Sequence, residues 1–185
     1  MAAWFRTGEE PRARRKSPLF KPGHLRYRGR HAFYCSFPMK RRVPGVDAAA
    51  VVRDIYAELA LRPIERGCIA RTQCCRFQLT GKTPYLTKGE ALVAARAWRA
   101  LGRTRLPESP DGACPLLDRT TGRCRIYEGR PFGCRTHFCA AAGGPYGRRE
   151  VVDLINRLED LDRTLGGDGA LPLPAAVKLA LGELA

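Results

Sequence analysis

Four cysteines crowd into the stretch GACPLLDRTTGRCRIYEGRPFGCRTHFC, residues 112–139, at positions 114, 124, 134 and 139. Three more, Cys68, Cys74 and Cys75, stand upstream in RGCIARTQCCRF. Seven of the eight cysteines therefore fall in two bursts, and the gap between them holds none. Clustered sulfur is the ligand chemistry that selects zinc and iron–sulfur clusters. In a chain without a secretory leader, such thiols are read as metal ligands or redox groups before disulfides. The opening residues, MAAWFRTGEEPRARRKS, hold no continuous apolar segment after basic ones. No apolar run reaches the roughly 18 residues that a membrane span requires. The expected compartment is the cytoplasm, with no membrane association.

At 185 residues the chain can bury one core and is short for two. Its net charge of +15 is unevenly spread. Residues 1–45 carry twelve Lys or Arg against two Glu, whereas residues 46–185 carry twenty-one against sixteen acids. The first segment sustains neither a helical nor an alternating period. It reads as a basic, extended, partly disordered arm over 1–45, followed by one metal-binding domain over 46–185. Within the arm, Arg12, Arg14, Arg15 and Lys16, then Arg26, Arg28, Arg30, Lys40, Arg41 and Arg42, suit the phosphates of RNA or another polyanion. A solvated basic tail has the same composition. No RNP, helix-turn-helix or zinc-finger pattern points to a reader of base sequence.

Asp47, after a Pro44–Gly45 turn, predicts a helix start. Val51, Val52, Ile55, Tyr56 and Leu59 form its apolar stripe, and Pro63 marks its end. A short apolar segment with Phe77, Leu79 and Tyr85 follows the first cysteine burst. Thr87 with Glu90 predicts a capping box and a second helix, whose face is Leu92, Val93, Ala95, Trp98 and Leu101 and whose stop is Gly102. Trp98 is expected in the core. A third helix spans 150–165 on Val151, Leu154, Ile155, Leu158, Leu161 and Leu165, ending at Gly166 and Gly167. Pro174 opens a last short helix through Leu184, with Val177, Leu181 and Leu184 in contact range of the core. The expected fold is mainly α: a small metal-stabilised domain with irregular cysteine-rich loops and at most one short β-hairpin.

In the second burst, Thr120–Thr121–Gly122 predicts a hairpin turn that returns Cys124 beside Cys114, above Leu116, Leu117 and Ile126. Arg130–Pro131 predicts a rigid bend before Cys134. A metal shared by both bursts would close a long loop and supply much of the folding free energy. The adjacent Cys74 and Cys75 point in different directions on most backbones. They suit two neighbouring ions, or separate ligand and packing roles. Arg71 and Arg76 flank them, with charge to offset that of metal-bound thiolates.

The string CPLLD…GRCRIYEGRPFGCRTHFC closely resembles the CxxCxxCC, or YkgJ-like, family of zinc- or iron-chelating cysteine-cluster domains. In that family a block C-x2-C-x2-C-C precedes a helix opened by a threonine–acid pair. A second block then reads C-P-x-L, C-x-I-Y-x-x-R-P-x-x-C-R and a final cysteine. Here Cys114, Pro115, Leu117, Cys124, Ile126, Tyr127, Arg130, Pro131, Cys134, Arg135 and Cys139 match the second block. Cys68, Cys74 and Cys75 match the first, third and fourth cysteines of the first block, and Arg71 stands at the second. Cys35, His31 or His137 could replace that ligand, or the site holds fewer ions. The resemblance implies a 4Fe–4S cluster or zinc on Cys68, Cys74, Cys75, Cys114, Cys124, Cys134 and Cys139. Some relatives, similar to the flagellin lysine-N-methylase, imply an iron–sulfur cluster with methyl transfer.

His137, between Cys134 and Cys139, is the best nitrogen ligand. His24 and His31 read as solvated, and Cys35 as a small buried hydrophobe. Arg130 and Arg135, with Tyr127 at the site edge, either bind a carboxylate or phosphate of a cofactor or substrate, or pair with Asp118, Glu128 or the sulfurs. Asp118 and Glu128 lack a water-activating histidine, so they make no acid–base pair. Neither Cys74 nor Cys75 has the His and Asx partners of a catalytic thiol. There is no Gly-rich nucleotide loop and no CxxxCxxC spacing for radical chemistry. The function expected is cytoplasmic metal binding. The other readings are an iron–sulfur enzyme or redox protein, and an RNA- or ribosome-associated accessory protein.

Overall fold

A computed structural model of the chain describes residues 46–62, 66–69 and 71–185, with the backbone of residues 5–7. The rest of the basic arm, with its Arg and Lys runs, His24, His31 and Cys35, lies outside the described residues, as does Pro63.

Helix α1 (Ala48–Ala60) begins where the Asp47 carboxylate accepts the Ala49 N–H at 3.1 Å, satisfying one of the donors a helix start leaves open. Val52, Ile55, Tyr56 and Leu59 are buried along one stripe. A single helical turn, α2 (Phe77–Thr80), then leads into strand β2 (Lys82–Leu86). The apolar segment expected there is thus part helix. Leu79 lies on its outer side, 71% exposed, while Phe77 packs inward.

Helix α3 (Lys88–Ala100) opens as the Thr87–Glu90 pair predicts. Thr87 N–H and Oγ1–H both donate to Glu90 Oε2, at 3.0 and 2.9 Å. A second cap comes from far along the chain, where Asp162 Oδ1 accepts the Lys88 N–H at 2.7 Å. Gly89 admits this close approach, since a Cβ there would lie 2.9 Å from Leu161 Cδ2 and 3.1 Å from Val52 Cγ2. Trp98 is fully buried, and its indole N–H donates to the Arg105 carbonyl at 3.0 Å. Leu101 differs from expectation. The helix ends before it, Gly102 turns the chain at φ +73°, and the side chain points outward.

The remaining elements are α4 (Phe132–Thr136), α5 (Arg148–Thr164), β3 (Leu171–Pro172) and α6 (Leu173–Glu183). α5 buries Val151, Leu154, Ile155, Leu158 and Leu161 on its stripe. α6 buries Leu173, Ala176, Val177, Ala180 and Leu181. The fold is mostly helical, and α3 is its middle layer. One side of α3, with Val93, meets α1 and α5. The other, with Ala91, Ala94, Ala95 and Trp98, meets α6 and the second cysteine segment. Its alanines let the opposing elements come close.

The strands do not form the expected hairpin. β2 pairs antiparallel with β1 (Phe5–Thr7) through its first half and with β3 through its second. Pro84, which has no N–H to give, pairs with Phe5, and β3 begins only beyond it. At the predicted hairpin turn the ladder stops at one bridge, Leu117 with Cys124. Asp118 folds the turn by accepting the Thr120 and Thr121 N–H groups at 2.9 and 3.3 Å. The chain then leaves extended geometry at Ile126 and enters a 3₁₀ turn, Tyr127–Gly129.

Candidate metal centre

The first burst is shaped by Thr72, which adopts φ +55° and turns the chain into the 3₁₀ turn Gln73–Cys75. The second burst meets it directly. Cys114 N–H donates to the Cys75 carbonyl at 2.7 Å, and Arg76 bridges Ala113 antiparallel. From there the chain passes Leu116, makes the Asp118 turn and returns through Cys124. Arg125 N–H donates to the Leu116 carbonyl at 2.9 Å, which holds the return close.

The turn Tyr127–Gly129 docks on α3. A Cβ at Gly129 would lie 2.6 Å from Ala97 Cβ, so only glycine permits this distance. Arg135 then fixes the bend before α4. Its Nε–H donates to the Arg130 carbonyl at 2.9 Å, its Nη2 to the Glu128 carbonyl, and its guanidinium sits 4.2 Å over the Tyr56 ring. Phe132 N–H donates to Glu90 Oε1 at 2.8 Å, and Tyr56 O–H to the same oxygen at 3.4 Å. The fully buried Glu90 therefore joins α1, α3 and α4 beneath Cys134. Its part in α3's capping box was predicted; the long-range half of its role was not.

All seven described cysteines are free, and all seven line one cavity of about 460 Å³. His137, Tyr127, Arg130 and Arg71 line it too. Among the described residues no Asp or Glu does. Arg123 also lines it, a residue that sequence reasoning passed over because nothing local marks it. Arg76, expected beside the thiols, is exposed and does not line the cavity. Arg135 faces Tyr56 and the backbone instead of the cavity. Asp118 pairs with Arg125 at 3.5 Å rather than with Arg130 or Arg135. The sulfurs stand around the cavity wall rather than at a common point. No three His, Cys, Asp or Glu side chains among the described residues are gathered closely enough to hold one ion.

The thiols act on one another. Cys114 is pushed up to about 12, first by burial and then by Cys124 and Cys74. Burial likewise raises Cys134 well above the usual thiol range, with Cys114, Cys124 and Cys74 adding to it. Burial raises Cys124 as well. In the adjacent pair, a sulfur–sulfur hydrogen bond lowers Cys74 to about 7 and raises Cys75. Arg130 adds to the lowering of Cys74. Burial thus favours the neutral thiol at Cys114, Cys124 and Cys134 until a cation enters; a bound metal reverses this and drives the protons off. Burial, with a smaller contribution from Lys82, holds the His137 ring below the usual imidazole range, keeping it neutral as a ligand must be.

Comparison with known families bears on the same residues. The model of the CxxCxxCC family, described as a "putative zinc- or iron-chelating domain", matches residues 66–153. A CxxCxxCC-type domain is thus found at residues 66–153. No curated protein and no solved structure matches the chain. The CxxCxxCC span contains both cysteine bursts, His137, Arg130 and the whole of α3, and it ends inside α5. That description supports metal binding by the matched span. At the position of the family's second cysteine the exposed Arg71 borders the cavity. Of the candidates to replace that ligand, His137 lines the cavity, while Cys35 and His31 lie outside the described residues.

Proposed function

We propose that the protein holds a 4Fe–4S cluster, or zinc, between its two cysteine bursts in the cytoplasm. The observation that carries this is the union of both bursts around one cavity, joined by the Cys114–Cys75 backbone bond, with no acid among its described lining residues. Cys68, Cys74, Cys75, Cys114, Cys124, Cys134 and Cys139, with His137, are the donors.

The donor set fits thiophilic metals, and the space available favours the larger centre. A zinc–sulfur bond of about 2.3 Å sweeps a sphere of only about 50 Å³. The cavity is roughly nine times that volume, and the sulfurs line its wall without converging on one point. A cluster, whose inorganic core fills space between the thiolates, suits that spacing better than one zinc ion. Seven free thiols also suit a reducing compartment. When bound, a cluster supplies one-electron chemistry, whereas zinc supplies a cross-link between the two loops. The chain's own residues bind and shield: Cys114 from within the protein, the half-buried Cys134 from the cavity wall, Cys68 from the exposed edge.

Metal analysis of protein purified without oxygen tests this. A brown protein with broad visible absorbance and stoichiometric iron and sulfide supports the cluster. A colourless protein with stoichiometric zinc supports the second form. Wild-type protein empty of both, or a Cys134→Ser variant that keeps its full metal content, defeats the proposal.

A further inference from the structure

Arg130 differs from the other cations around the cavity. Its Nε is buried and has no acceptor among the described residues. Buried N–H groups are nearly always paired, so an orphan in a cavity wall calls for a partner inside the cavity. The side chain is also held in place. Its guanidinium lies 3.9 Å over the Tyr127 ring, and its carbonyl is fixed by Arg135. Its charge reaches Cys74 of the first burst and Cys124 and Cys134 of the second.

Resting on the metal reading above, we infer that Arg130 is the charge-balancing, sulfur-directed donor of the centre, pairing its buried Nε–H with metal-bound thiolate. Counting charge decides between this role and capture of a separate anion. Four thiolates on a dication leave about −2, in a wall where no described residue is an acid that could compete for the arginine. Arg71 and Arg123 are exposed, so solvent and salt screen them. Arg130 is the more enclosed cation, and the thiolates already exceed its charge. No positive surplus is left for a carboxylate or phosphate ligand. Arg130 is thus a positioning residue that acts on the metal through sulfur.

The test uses full-length, reduced, metal-free protein titrated with Zn²⁺ against a chromophoric chelator. Relative to wild type, R130Q is expected to bind zinc about 10- to 100-fold more weakly, at the same stoichiometry and with the same metal-free circular dichroism. R130K, which keeps the charge but not the planar fork, recovers only part of the loss. Tyr127→Leu removes the platform and gives a smaller loss in the same direction. Inorganic phosphate binds neither wild type nor variant. Wild-type affinity in R130Q, or in both R130K and Tyr127→Leu should R130Q not fold, overturns the inference and leaves the metal reading standing. So does phosphate binding by wild type that R130Q abolishes. Wild-type protein that takes up no zinc and carries no iron overturns both.

Discussion

On one side of α3, two long helices press Val52, Ile55, Leu154 and Leu158 against it, and the side chains interlock as in any helical core. On the other side, α6 shares the work with a loop-built segment from Cys114 to Ile126, and α4 carries Cys134 at the cavity edge. The first region buries whole amphipathic stripes. The second buries scattered residues such as Leu116, Leu117 and Ile126 and leaves five thiols half-buried around a cavity. The difference teaches where the fold is self-sufficient. Regular helices satisfy their own backbone and need only an apolar face. A loop segment orders only when something repays its entropy, and under the proposed function that is the centre between the thiols.

Metal removal should separate the two regions most sharply. In small zinc domains the bound ion contributes on the order of 10 kcal/mol. Chelation without oxygen is expected to strip amide protection from Cys114, Arg125 and Cys134 while α5 keeps its protection. Hydrogen exchange with and without chelator reads this directly. Equal loss in both halves would erase the distinction.

Paired truncations come next. Leu154→Ala and Leu116→Ala each remove a fully buried leucine, and each should cost about 2–5 kcal/mol in chemical denaturation. Only Leu116 lines the cavity. Its truncation should also weaken metal binding, whereas Leu154→Ala should leave the affinity at its wild-type value. A third, smaller effect is expected at the seam. Gly129→Ala drives a methyl to within 2.6 Å of Ala97 Cβ and should cost about 1–3 kcal/mol. The double variant with Ala97→Gly should recover the packing part of that loss, as a double-mutant cycle would show.

The helical side was legible because its signals are local and periodic. Asp47, the Thr87–Glu90 pair and the stripe from Val151 to Leu161 each announce an element within one or two turns. On the cysteine side the meeting of the two bursts was legible, since they do share a cavity, but the geometry was not. Nothing near Lys88 reveals that Asp162, seventy-four positions later, caps its N–H. The pairing of β2 with β1 and β3 is equally remote. Flanking position suggested Arg76 as a neighbour of the thiols, yet the 3₁₀ turn at Gln73–Cys75 leaves it exposed, and the Asp118 turn brings Arg123 to the cavity instead. Adjacency in sequence says little where no regular period carries direction.

Glu90 belongs to both regions, and its effect is a slope more than an offset. Burial raises its carboxyl above the ordinary value of 4.5, against the lowering by donors from Thr87, Phe132 and Tyr56. Between the ordinary value and the raised one, the folded protein holds a proton that the unfolded chain has released. Stability from this group is thus complete below about pH 4.5, declines as pH rises through the folded-state value, and is level above it. Glu90→Gln cannot ionise and should flatten that decline in urea midpoints measured across pH. The amide should also cost about 1–3 kcal/mol at neutral pH, since donors from Thr87, Phe132 and Tyr56 face both carboxylate oxygens and the amide offers one accepting oxygen in place of two. Because Glu90 Oε1 accepts the Phe132 N–H at the head of α4, the variant should loosen Cys134 as well. A flat wild-type profile, or a variant with unchanged metal affinity, would show that the two regions meet at α3 without being coupled through this carboxylate.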